Sequence, residues 1–218
     1  MHLEFLIEKS FNSAKKSIKN LIWSGHKKVI FFDNNFLANP HWNEILDEVE
    51  ELDLQVDFNQ GLDARLITEK VANKLSRLKI NRMIRLSYDY LEMRPFVMKA
   101  IELLKSKGLD GCRILVYTLY NFTDNPDNFY SRMSDILRAG AVSYPQRYEP
   151  NNARHKNRFV SRQWDSSRLD AIQRARRVIG CNGVFLPHEG MLNRKINKYS
   201  TFDNAFKEFI EPLEETVQ

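Results

Sequence analysis

Five polar clusters in this chain carry the groups that chemistry would need. They are Asp33-Asn34-Asn35, then Asn59-Gln60 with Asp63 and Arg65, Ser87 with Asp89, Thr118 with Asn121, and Gln146-Arg147. Each follows directly on a short apolar run. Carboxylates, amides, hydroxyls and guanidinium groups in such a set suit a polar ligand held by directed hydrogen bonds. A strand must turn polar where it meets water, so one such cluster alone carries little; five in a row carry more. No Gly-rich phosphate loop, HExxH, GxSxG or EF-hand pattern occurs. His188-Glu189 is the nearest approach to a metal or acid–base pair, and an isolated pair of this kind is more often structural. Cys112 is expected in a buried strand as inert core. Cys181 follows an expected helix C-terminus, where the dipole disfavours a thiolate. Two cysteines cannot supply the three or four thiolates of a structural zinc site or an iron–sulfur cluster. No metal site is expected from this chain's own residues.

The elements that must position these clusters can be read from apolar spacing. Residues 3–22 have mostly helical spacing and are read as a helix, broken by Gly25. Strands are expected near 29–32, 54–58, 83–87, 112–117 and 141–144. The continuous run Val29-Ile30-Phe31-Phe32 is what a strand buried on both faces requires. Helices are expected between the strands. The first would carry Pro40 in its opening turn with Asn39 as cap, and the second would be capped by Thr68. The third would bury Phe96, Val97, Ala100, Ile101 and Leu104, and the fourth spans 126–139. Strands alternating with helices imply an α/β fold with a parallel sheet and right-handed crossovers. Its ligand side is the carboxyl end of the strands. After 150 the pattern changes. A basic loop (151–164), a helix (166–179), a loop (181–200) with a short strand at 184–186, and a final helix (202–211) capped by Thr201 are expected.

The chain has 218 residues, 43% hydrophobic and 28% charged, which excludes disordered, collagen-like and low-complexity classes. No apolar run reaches the ~18 residues of a membrane span, and the N-terminus lacks the pattern of a signal peptide. A reduced, cytoplasmic protein is expected. The net charge of +5 is unevenly distributed. Residues 1–150 hold 21 Lys+Arg against 20 Asp+Glu, residues 151–198 hold 11 against 3, and residues 199–218 hold 1 against 5. The basic segment would attract phosphates or acidic partners, or would be a solvated face. Arg168, Arg174 and Arg177, near Phe159 and Trp164, are its candidates for nucleic-acid or phosphate contacts. Two regions are expected: 1–150, the α/β body, and 151–218, a basic extension ending in an acidic helix.

The runs Val29-Ile-Phe-Phe-Asp-Asn-Asn-Phe-Leu-Ala, Phe58-Asn-Gln-Gly-Leu-Asp-Ala-Arg-Leu-Ile-Thr, Ile84-Arg-Leu-Ser-Tyr-Asp and Val116-Tyr-Thr-Leu-Tyr-Asn-Phe resemble, in that order, the radical SAM superfamily. The similarity covers about residues 26–150 and continues through Tyr148-Glu-Pro into the Arg-rich helix. It corresponds to the barrel downstream of the cluster-binding loop. The resemblance implies a partial (β/α) barrel. In such proteins a 4Fe–4S cluster on a Cys-x3-Cys-x2-Cys loop binds SAM (S-adenosyl-L-methionine) and cleaves it reductively to a 5′-deoxyadenosyl radical. By position, it implies that Asp33, Asn34 and Asn35 meet the SAM amino group, and that Ser87 and Asp89 meet its ribose and carboxylate. Arg65, Thr118 and Arg147 would line the substrate cavity.

The Cys-x3-Cys-x2-Cys motif is absent from these residues. The expectation is therefore a barrel lacking its first strand: a truncated, split or degenerate member, inactive alone. A partner chain or a preceding segment would have to carry the cluster loop. Two alternatives stay open. One is a non-catalytic nucleic-acid or phosphate-binding module using 151–198. The other is an interaction subunit that completes a partner's barrel.

Overall fold

The computed structural model describes residues 16–188 and 190–210. The elements run β1 (Lys28–Phe31), α1 (Trp42–Glu51), β2 (Gln55–Phe58), α2 (Glu69–Arg77), β3 (Lys79–Ile80), β4 (Ile84–Ser87) and α3 (Arg94–Ser106), followed by β5 (Ile114–Tyr120), α4 (Pro126–Arg138), β6 (Val142–Arg147), α5 (Ser166–Val178), α6 (Gly190–Lys198) and α7 (Phe202–Ile210). This is the α/β class the alternation implied. The strands fall into two three-stranded sheets, ordered β1-β2-β3 and β4-β5-β6. β1 pairs with β2 and β2 with β3, both parallel.

The described residues form two compact units: those up to 87 with 95–115, and 88–94 with those from 116 onward. In the first unit, Val29, Ile30, Phe31, Val56 and Phe58 are buried, with Ile45, Leu46 and Val49 of α1 and Val71, Ala72 and Leu75 of α2. Covered on both faces, β1 has no polar alternation to offer and reads as the apolar run Val29-Ile30-Phe31; β2 instead carries a buried Asp57 between Val56 and Phe58. The rings of Phe31, Phe36 and Phe58 pack with centroids 4.5–5.7 Å apart. Gly61, at φ +85°, turns the chain after β2 so that the Leu62 amide donates to the Arg85 carbonyl at 2.8 Å. A Cβ on Gly61 would meet that same oxygen at 3.2 Å, so the close approach needs glycine. Leu62 and Leu86 thereby bridge in parallel.

In the second unit, α4, α5 and α7 bury one shared core. Phe129, Met133 and Leu137 meet Trp164, Leu169, Ile172, Phe202 and Phe206. The segment after 150 thus buries its apolar faces against α4 and Tyr120 of β5.

Several expectations are corrected. Residues 3–15 lie outside the described residues; 16–22 hold a short 3-10 turn at Lys19–Leu21, not the end of a long helix. Pro40 lies before α1, whose N-cap position is His41; Asn39 accepts from the His41 amide instead. Cys112 sits half-exposed in a 3-10 turn, Gly111–Arg113, before β5, because Asp110 takes its amide and delays the strand. Phe96 is 46% exposed, while its neighbours Val97 and Ala100 carry the buried face. Residues 181–200 are not all loop: α6 forms there, anchored by Leu192 and Ile196 one turn apart. β3 was not foreseen. Thr68 does cap α2, its hydroxyl accepting from the Val71 amide.

Candidate functional site

In the first unit the residues of interest gather where β1 and β2 end. Phe36 is buried on Phe31 and Phe58, which pins the Asp33–Asn35 loop over the strand ends. Asn35 Nδ2 donates to Asp63 Oδ2 at 3.2 Å. Arg65 closes on the same carboxylate through its own amide (3.0 Å), Nε (3.0 Å) and Nη2 (2.7 Å). The Arg65 hydrogen bonds, with Asn35 adding to them, hold the Asp63 carboxyl below the usual carboxylate range. Since a carboxylate only accepts, Asp63 fixes which way the Asn35 amide points. Asn35 Oδ1 is then left buried with no hydrogen-bond partner. A buried acceptor without a donor costs free energy on the order of ~1–3 kcal/mol. It is an opening for a donor, ideally a cationic one.

Asp33 is half-buried beside this loop and Asn34 is exposed. Ser87 closes β4 half-buried. Arg65 is exposed, and its fork is engaged by Asp63. Deeper along β2, Asp57 takes Arg85 Nη1 and Asn81 Nδ2.

In the second unit Asp89 follows Tyr88, whose amide pairs with Tyr117 of β5. Burial raises the Asp89 carboxyl; the charge of Arg132 and the Leu119 amide pull it back down. Arg132 is fully buried. It donates to the Tyr88 carbonyl at 2.7 Å and to Asp124 Oδ2 at 2.6 Å. Asp135 receives the Tyr88 hydroxyl at 3.2 Å and Arg94 at 2.8 Å. Thr118 and Ser143 pair hydroxyl to hydroxyl at 3.0 Å, both buried. Arg147 Nη2 donates to the Phe159 carbonyl, while its Nε is buried without a partner. Asn121, at φ +67°, ties the loop after β6 with bonds to Phe159 and Ser161.

The arginines of α5 separate into two kinds. Arg168 grips Asp203 with Nε (2.7 Å) and Nη2 (2.5 Å) and also reaches Asp165, so its fork is already spent on two carboxylates. Arg174 is half-buried with Nε unpartnered, and Arg177 is exposed. Spacing alone did not reveal the Arg132 network, because its partners lie 8 to 44 positions away. Among the described residues no three of His, Cys, Asp or Glu gather closely enough to hold a metal ion. Glu189, half of the His188-Glu189 pair, lies outside the described residues. No helix among the described residues is long and apolar enough to cross a membrane.

No family model matches this sequence. No curated protein is significantly similar to it. Among solved structures, the fold is similar to coproporphyrinogen III oxidase (HemN) from Escherichia coli, described as a radical SAM enzyme, with a TM-score of 0.46 and 11% identity. The match covers 72% of this chain and 44% of that one, so the chain spans less than half of the similar protein's length.

Proposed function

We propose that this chain is the partial (β/α) barrel of a radical SAM-like protein and holds SAM through the loop at the end of β1. The single observation that supports this reading is Asn35 Oδ1, a buried acceptor with no donor. It lies at the position where the sequence resemblance puts the SAM amino group. An ammonium there would supply the missing donor, and the half-buried Asp33 two residues earlier adds negative charge. The residues present fit the amino-acid end of SAM. They do not fit a 4Fe–4S cluster: the two free cysteines, Cys112 and Cys181, are too few, and no step is assigned to such a group. When bound to a cluster, SAM is the source of a 5′-deoxyadenosyl radical; this chain's part is to bind and orient it.

Without the cluster's two contacts to SAM, affinity is modest. Charge-assisted hydrogen bonds contribute roughly 1.5–3 kcal/mol each, and immobilising the ligand costs several kcal/mol. A Kd on the order of ~0.1–1 mM follows. Calorimetry or ligand-observed NMR with SAM tests it. Asn35→Ala is expected to weaken binding at least about tenfold, and Asp33→Ala to weaken it less. No SAM binding at millimolar concentration, or an unchanged Kd in both variants, would overturn the reading.

A further inference from the structure

We infer that Arg176 and Arg177, with the turn at Asn182-Gly183, form a binding site for a phosphate group. The inference stands on the second unit alone and does not rest on SAM binding. A cavity of about 420 Å³ is lined by Gln173, Arg176, Arg177, Gly180, Asn182 and Gly183. Its lining supplies amide and guanidinium donors and no carboxylate. The ion pairs of this unit engage Arg94, Arg132, Arg168 and Lys195; among the described residues neither Arg176 nor Arg177 has an acidic partner.

Arg176 is held in place from several sides. Its Nε donates to the Gly183 carbonyl at 2.6 Å, and its guanidinium lies 4.9 Å from the centre of the Tyr144 ring. Its charge also acts on the Tyr120 hydroxyl. That hydroxyl is fully buried, makes no hydrogen bond of good geometry, and is pushed up to about 12 by burial against the pull of Arg176 and Arg147. It is therefore a neutral group at working pH, not a counter-ion.

The turn is shaped around this arginine. Cys181 and Val184 exchange both backbone hydrogen bonds, at 2.9 and 3.1 Å, across Asn182 (φ +51°) and Gly183 (φ +80°). Positive φ at both central residues is the two-residue hairpin that Asn-Gly favours. A Cβ on Gly183 would come within 3.0 Å of Arg176 Nη2, and one on Gly180 would collide with the Arg176 carbonyl. Phe185, just beyond, is buried and pairs antiparallel with Ser143 at the edge of β6. The hairpin is thereby fixed to the sheet. A guanidinium held by the Tyr144 ring and the Gly183 carbonyl is already in place to meet a planar or tetrahedral oxyanion. It loses little entropy on binding one. Arg177, exposed at the same rim, adds a second positive charge.

The phosphate could belong to a mononucleotide or to a nucleic-acid backbone, and the experiment separates them. The full chain is titrated with inorganic phosphate, with adenosine monophosphate and with a single-stranded oligonucleotide, following the Asn182 and Gly183 amide resonances. Phosphate is expected to shift both amides with millimolar affinity. Arg177→Ala should weaken phosphate binding about tenfold, with the fold unchanged by circular dichroism. Arg176→Lys should weaken it comparably, since a lysine cannot keep the fork geometry. Arg168→Ala should leave it unchanged. Tighter binding of the mononucleotide identifies a small ligand. Oligonucleotide binding with a steep, Arg177-dependent salt slope identifies a backbone. If none of the three shifts these amides at tens of millimolar phosphate, or if Arg177→Ala binds phosphate like the unsubstituted chain, the site is refuted. Should Arg176→Lys fail to fold, the Arg177 result decides. SAM affinity, read on Asn35, is expected to survive Arg177→Ala, so the two proposals fail separately.

Discussion

Replacing Arg132 with methionine should be strongly destabilising to the second unit, and its cost should depend on pH. Arg132 is fully buried, with one Nη on the Tyr88 carbonyl and the other on Asp124. Methionine fills much of the volume but leaves Asp124 without its cation, and Asp89 without the charge that draws it down. Breaking a buried ion pair from one side costs about 3–5 kcal/mol. For a chain of this size that is a fall in melting temperature of about 6–20 °C. The pH dependence follows from the two acids. Burial already raises both carboxyls above their usual range, and Arg132 opposes that rise. An acid raised in the fold contributes its stabilisation below its unfolded value, near ~3.9. It loses that contribution as pH climbs through the folded value. Without Arg132 both acids rise further, so the deficit is largest at neutral pH and shrinks towards pH 5. Urea unfolding at pH 7.5 and 5.0 measures this. Arg132→Lys should fall between, because an ammonium has no fork to reach both partners. A loss below about 1.5 kcal/mol, or the same loss at both pH values, would refute the charge-burial argument.

Two further outcomes are expected. Thr68→Ala removes the hydroxyl that accepts from the Val71 amide and should cost about 1 kcal/mol in chemical denaturation, while Thr68→Ser costs less. Cys181, exposed, should react with a thiol reagent well before Cys112, whose thiol is pushed up by burial and by Asp110; equal rates would contradict that placement.

β1 was legible because a strand covered on both faces must be apolar throughout: Val29, Ile30 and Phe31 are all buried. β4 was legible by alternation instead, with half-buried Arg85 between buried Ile84 and Leu86. α6 was not legible. Its anchors are only Leu192 and Ile196, set among Asn, Arg and Lys, too sparse a stripe to stand out. Cys112 was misplaced because Asp110 captures its amide, a local side-chain bond that competes with strand pairing. At the candidate site, the polar strand ends were visible as residue types. That Asn35 would be held by Asp63, 28 positions on, was not, since nothing in the intervening chain encodes that pairing locally.

The charge run of 151–198 shows how far composition reaches. Eleven basic residues against three acidic ones define a positive segment, but net charge is indifferent to pairing. Arg168 stands on the same helix as Arg177 and has the same side-chain type as Arg176, yet Asp165 and Asp203 leave it with no uncompensated charge. What sets Arg176 apart is a dipeptide six residues downstream. Asn182-Gly183 allows two consecutive positive φ values, and only a hairpin of that kind brings the Gly183 carbonyl back to the Arg176 Nε. Substituting Gly183 should therefore act on phosphate through Arg176's position rather than through charge. Gly183→Ala keeps every cation in the chain, so a loss of phosphate affinity in that variant would attribute binding to the orientation of one guanidinium and not to the surplus of positive charge. Undiminished affinity would assign it to the surplus.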